Sequence, residues 1–141
     1  MNGCMFCDIA SGRSPASIVY QDETAVAFMD IYPVHPGHTL VIPRVHVHDL
    51  AHCPLELAGR LFMTTTRLAP AVAAATDAAG FNVWTANGKE AGQEVFHLHM
   101  HILPRFVGDT FGLRFPKDYP AAASRSELEE VAAHIRQEVQ R

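Results

Sequence analysis

Long apolar runs are missing from this sequence. The longest nearly apolar stretch, Leu68 to Ala75, contains Pro70, whereas a bilayer-spanning helix needs about 20 consecutive apolar residues. No membrane partner is expected. A basic excess is missing too: eleven Lys and Arg face fifteen Asp and Glu, a net charge of -4, which offers no positive field to a nucleic acid backbone. The opening Met-Asn-Gly-Cys-Met-Phe-Cys has neither the basic start nor the apolar centre of a leader peptide, so a cytoplasmic, reducing location is expected. Cysteine is scarce. Three of them in 141 residues suit thiols or metal ligands better than disulfides in such a compartment. With 18% charged and 48% apolar residues, the chain reads as one ordinary domain, 1–141, long enough to bury roughly 70% of its unfolded surface.

Histidine is what the composition has in excess. Nine are present, and eight lie between His35 and His101. Residues 97–105 read His-Leu-His-Met-His-Ile-Leu-Pro-Arg. Side chains two apart in a strand share a face, so a strand over 97–105 lines up His97, His99 and His101 opposite Leu98, Met100 and Ile102. A helix would scatter the imidazoles, and Pro104 would interrupt it. Successive imidazoles in a strand stand roughly 6.6 Å apart at the backbone, close enough for all three to meet one phosphate-sized ligand or metal. Three histidines in strict alternation are hard to explain as the polar face of an edge strand, because histidine is neither a strong strand former nor easily crowded.

Around this stretch, Cys4 to Ile9 suggests one helical turn. Ile18 to Tyr20 and Ala25 to Met29 read as a hairpin, and His38 to Pro43 as a third strand followed by a His-rich loop from Arg44 to Cys53. Leu57, Leu61, Leu68, Val72 and Ala75 recur at helical spacing, which predicts a long helix from Pro54 at its first position to Ala79. Gly80 should end it, and Pro70 should kink or break it near Thr66 to Leu68. Phe81 to Ala86 predicts a fourth strand, with a turn at Asn87-Gly88. A broken, Phe-rich stretch follows Pro104. The pattern Ser126-x-x-Glu129 reads as the capping box of a last amphipathic helix bearing Leu128, Val131, Ile135 and Val139.

Two further groups carry chemistry. Cys4-x-x-Cys7 has a spacing shared by redox dithiols and zinc sites; with only three residues ahead of it there is no room for the strand that a redox motif needs, so zinc is favoured. Two histidines would complete the tetrahedron, and His35, His38, His46, His48, His52 and the triad are all open to that role. Gly92-Gln93 is either a plain loop or a set of backbone donors for a phosphate.

These residues resemble the histidine triad (HIT) family of nucleotidyl hydrolases and transferases. Its pattern of alternating histidine and apolar residues is matched at every position of 97–103, and the similarity extends to Cys4–Cys7, Phe28–Ile31, Gly37–Arg44, Ala91–Gln93 and Pro104-Arg105. The resemblance implies an α+β fold: an antiparallel sheet of about five strands, a long helix across it and a C-terminal helix, paired as a homodimer. It implies His99 as nucleophile, His101 as phosphate contact and general acid, and His38 as a fourth histidine tuning the network. Asp30 would hold the ribose; Met5, Phe6, Ile9, Met29 and Ile31 would form the purine pocket; Asn87 and Gln93 would contact phosphate. A structural Zn²⁺ would be held by Cys4, Cys7, His46 and His97. The expected function is hydrolysis of purine nucleoside 5'-phosphoramidates or acyl-adenylates at the α-phosphate through a nucleotidyl-histidine. The alternatives are a dinucleoside polyphosphate hydrolase, or a zinc-stabilised nucleotide-binding regulator with incidental turnover. One departure stands out: Glu94 occupies a position where many purine phosphoramidases have serine.

Overall fold

The computed structural model describes residues 3–140; the part of the leader-peptide reading that rests on Met1 and Asn2 lies outside them. Two compact units are present, one up to Thr110 and one from Phe111 onward.

The first unit is built on strands β1 (Ile18–Gln21), β2 (Ala25–Met29), β3 (Thr39–Pro43), β4 (Gly80–Trp84) and β5 (Met100–Arg105). They form one antiparallel sheet in the order β1-β2-β3-β5-β4. The central strands β2 and β3 are almost wholly apolar, as strands covered on both faces must be, and nine of their ten residues are buried. On one face Ala25, Ala27, Val41, Met100 and Ile102 pack with Leu61 and Ala69 of the long helix α2 (Leu55–Thr76). On the other, Val26, Phe28, Leu40 and Ile42 pack with Phe6 and Ala10 of the short helix α1 (Met5–Ala10). The second unit carries α3 (Arg125–Val139).

Several expected boundaries move. Helix α2 is continuous through Pro70. Pro70 has no N–H to donate to the Thr66 carbonyl, but both residues are exposed, so water can satisfy the freed carbonyl and no break is needed. Pro54 is the cap ahead of the helix and not its first residue, and the helix ends at Asp77, which takes the left-handed conformation at φ 54°. Aspartate tolerates that conformation through its short polar side chain, leaving Gly80 free to open β4. The α3 capping box is Ser124 with Glu127; Ser-Arg-Ser-Glu-Leu-Glu contains the motif in two registers two residues apart, and the earlier one is used.

The largest correction concerns the histidine strand, which begins at Met100 and not at His97. The Leu98 N–H donates to the Val47 carbonyl at 2.7 Å, and His97 Nε2 donates to the Pro43 carbonyl at 2.9 Å. Residues 97–99 thus follow the chain leaving β3, and they join no strand of the sheet.

Candidate functional site

Because His97 lies in that bend, the three histidines do not share one ligand. His99 and His101 stay together, with ring centroids 4.9 Å apart, while His97 turns to the cysteines. The His99 Nδ1–H donates to the His97 carbonyl at 2.7 Å. This bond fixes the tautomer and leaves a lone pair on Nε2. Thr85 Oγ1 donates to the His99 carbonyl at 2.8 Å, and Phe6 sets its ring edgewise against His99 and His97 at 5.2 and 5.9 Å. Ring and backbone of His99 are both held.

His38, just ahead of β3, extends the network. Its Nδ1 accepts the Val34 N–H at 3.2 Å, so the proton sits on Nε2 and is donated to His101 Nδ1 at 2.9 Å. His101 therefore keeps its own proton on Nε2. Asp30 places one carboxylate oxygen 3.7 Å from His38 Nδ1 and accepts the Tyr32 N–H with the other. Burial pushes His38, His99 and His101 below the ordinary imidazole value. His101 is lowered to about 3 by burial first, then by the neighbouring His99 and His38 rings. For His99, the bond to the His97 carbonyl and the charges of Asp30 and Glu94 oppose burial. The resting site holds neutral imidazoles.

Cys4, Cys7, His46 and His97 come together with all four donor atoms within 4.8 Å of one another. Cys4 Sγ lies 3.4 Å from His97 Nδ1, and Cys7 Sγ lies 3.3 Å from His46 Nδ1 and 3.5 Å from His97 Nδ1. A tetrahedral ion with sulfur at about 2.3 Å and nitrogen at about 2.0 Å requires sulfur–nitrogen edges of about 3.5 Å. The cluster fits such an ion. The bond from His97 Nε2 to the Pro43 carbonyl leaves Nδ1 as the ligand atom, an orientation typical of metal-bound histidine. Burial, then the Cys4 thiol, raises the Cys7 thiol above its ordinary value, so an ion must displace a proton to bind there.

Of the expected pocket residues, Phe6 is buried between the sheet and His99, whereas Met5 and Ile31 are exposed and Ile9 and Met29 half-buried. Gln93 is spent inside the protein: its Nε2 donates to the His48 and Val95 carbonyls and its Oε1 accepts the Gly88 N–H. Asn87 Oδ1 accepts the Leu50 N–H at 2.7 Å. Two features had no sequence signal. Asp49 accepts from His48 and His52 at 3.0 and 2.6 Å, hydrogen bonds from His52 and then His48 that hold its carboxyl at about 2, and His48 stacks on Phe96. These contacts tie the His-rich loop to the loop over 87–96 and absorb two of the surplus histidines. The other is Trp84, stacked flat on His101; only the pairing register of β4 and β5 brings them together.

No helix among the described residues is long and apolar enough to cross a membrane. A solved Streptococcus mutans structure, SMU.412c, superposes at TM-score 0.92 with 40% identity, covering 99% of this chain and 87% of that one. A Zn-bound histidine triad family protein from Mycobacterium smegmatis superposes at 0.75, again with 40% identity, over 82% of this chain and 84% of the other. The Arabidopsis thaliana adenylylsulfatase HINT3 is 36% identical over 104 residues, which are 74% of this chain and 53% of the plant protein. The HIT domain matches residues 11–108, a span that takes in every histidine of the network just described, and the chain belongs to the HIT family.

Proposed function

We propose that this chain is a nucleotidyl hydrolase of purine nucleoside 5'-phosphoramidates or acyl-adenylates, releasing the nucleoside monophosphate. The observation that carries the reading is His99: a buried neutral imidazole whose Nδ1–H is committed to the His97 carbonyl and whose Nε2 is a free nucleophile. Its lone pair attacks the α-phosphorus, and the bond to the leaving group breaks with its electron pair passing to the leaving atom. Water then attacks the same phosphorus, its proton passing to the His101 Nε2 that gave one up in the first step, and the P–N bond breaks with its pair returning to His99. The Nδ1–H bond persists through both steps and carries the transient positive charge. The adenylylsulfatase relative acts, by its name, on an adenylyl group joined to a leaving group that is not a nucleotide, which supports this substrate class.

His101 faces the leaving atom with the proton on Nε2 and acts as the general acid. A neutral imidazole gives up a proton poorly, so His101 must be charged in the complex. The His38 Nε2 proton passes to His101 Nδ1, and a proton taken up from solvent beside Asp30 occupies His38 Nδ1 in place of the contact with the Val34 N–H. Asp30 receives the ribose hydroxyls, and Met5, Ile9, Met29 and Ile31 frame the purine over the buried Phe6. Asn87 is left with Nδ2 for a phosphate oxygen. Gln93 serves the phosphate loop as a strut, since its amide protons already meet backbone carbonyls.

Glu94 separates the rival substrates. The carboxylates whose charges act on His99 are Asp30 and Glu94, an arrangement that repels the polyanionic leaving group of a dinucleoside polyphosphate and tolerates a departing amine. One Zn²⁺ held by Cys4, Cys7, His46 and His97 would cross-link α1 to the triad without taking part in the chemistry. We read the chain as one cytoplasmic domain acting as a homodimer. Turnover of a fluorogenic adenosine phosphoramidate, measured beside a diadenosine polyphosphate, tests the proposal: the first should be hydrolysed and the second should not. Faster hydrolysis of the polyphosphate would favour the polyphosphate hydrolase, and nucleotide binding without turnover of either would favour the regulator.

A further inference from the structure

Trp84 is the one tryptophan of the chain and the last residue of β4. The strand register sets it directly opposite His101. Side chains paired in this way share a face of the sheet, and here the rings lie parallel, with centroids 4.5 Å apart and 2° between planes. The indole also tilts against His38 at 5.9 Å. His101 is thus enclosed by Trp84, by His99 just ahead of its strand and by His38, with Asp30 acting on both of those histidines and Glu94 on His99.

Burial, His99 and His38 all oppose a positive charge on His101. A proton donor needs that charge. The face of an indole attracts a cation, and the attraction is strongest where water is excluded. Among the side chains around His101, the Asp30 carboxylate, within 4.8 Å of a His101 nitrogen, and the Trp84 indole stacked on its face are placed to offset the opposition. Flat stacking also fixes the plane of the imidazole, which keeps Nδ1 in line with His38 and Nε2 directed at the site.

We propose that Trp84 is a positioning residue for departure of the leaving group: its indole holds the His101 ring in plane and stabilises the imidazolium from which the Nε2 proton is delivered. The proposal rests on the preceding reading of His101 as general acid. In the step, the His101 N–H bond breaks and its electron pair returns to the ring. The P–N bond breaks with its pair on nitrogen, where the new N–H forms, while His99 Nε2 bonds to phosphorus.

The test compares wild type, Trp84→Leu and Trp84→Phe on adenosine 5'-phosphoramidates whose amine leaving groups differ in basicity. Loss of a half-buried cation–π contact should lower kcat about tenfold for the poorest leaving group and much less for the best, with KM little changed and most of the rate regained in Trp84→Phe. Trp84 is also its own reporter, because protonated imidazole quenches indole emission. In saturating AMP the wild-type emission should fall as pH is lowered, and His101→Asn should abolish that fall. An unchanged dependence on the leaving group in Trp84→Leu would overturn the proposal. So would the absence of a pH-dependent quench, or a quench that persists in His101→Asn. If no phosphoramidate is turned over, the functional reading fails by itself and the emission measurement alone decides the role of Trp84.

Discussion

At the scale of single residues, the site depends on which nitrogen carries each proton, and the bonds to the His97 carbonyl and from the Val34 N–H decide that. His99→Ala should remove the covalent nucleotidyl-enzyme while AMP still binds, checked by rapid quenching and mass spectrometry of the protein; an adduct on His97 would reverse the assignment. His101→Ala should cost ~10² to 10⁴ in rate with the poorest leaving groups, the usual worth of general acid catalysis. The same burial has a consequence for stability. In the unfolded chain His38, His99 and His101 take up protons near pH 6.5, whereas in the folded chain they resist until lower pH, about 3 for His101. The unfolded state therefore binds more protons below 6.5, and stability falls as pH drops from 6.5 towards 3, by up to about 1.4 kcal/mol per pH unit per histidine. Urea midpoints between pH 7 and 5 should show the decline, and a flat profile would contradict the neutral network. The triad was legible because its alternation lies in the sequence itself, whereas Asp30 was singled out only through the family resemblance. Trp84, Asp49 and the commitment of Gln93 were not legible, since each depends on a partner brought in by the register of β4 and β5 or by a loop.

At the scale of elements, the helix α1 has six residues, too few to be stable by its own hydrogen bonds. It is held at its N-terminus by Cys4, which accepts the Cys7 N–H, and along its length by Phe6 against Phe28, His97 and His99. An ion at the four-donor cluster would fasten it to the loop after β3 and to His97. Cys4→Ser or exhaustive chelation should therefore lower the melting temperature and weaken AMP binding, with elemental analysis finding about one zinc per untreated chain and little in the variant. Full stability and unchanged AMP affinity without metal would remove the structural role. Strand and helix identities followed from apolar periodicity, but their ends did not. The end of α2 is set by Asp77, whose left-handed conformation has no reliable sequence mark. The start of β5 is set by the pull of Val47 and Pro43 on residues 97–98, a tertiary contact that alternation alone cannot reveal.

At the scale of the whole molecule, the apolar residues that the first unit leaves uncovered matter most. Helix α2 buries Leu61, Thr65 and Ala69 against the sheet but exposes Leu55, Phe62 and Met63, at 91%, 57% and 72%. Strand β4 is an edge strand with Phe81 also exposed. Large apolar side chains along one helix, beside an unpaired strand edge, mark a surface that soluble proteins cover. The simplest cover is a second copy related by a two-fold axis, since one patch then serves both sides. Sedimentation at micromolar concentration should give twice the 15.5 kDa of one chain. Phe62→Glu with Met63→Glu should shift the protein to monomer, because a charge buried without a partner costs several kcal/mol. The wild type should melt at a temperature that rises with protein concentration, and the double variant should lose that dependence. A wild-type monomer with a concentration-independent melt would instead mean that these residues face solvent in the working protein.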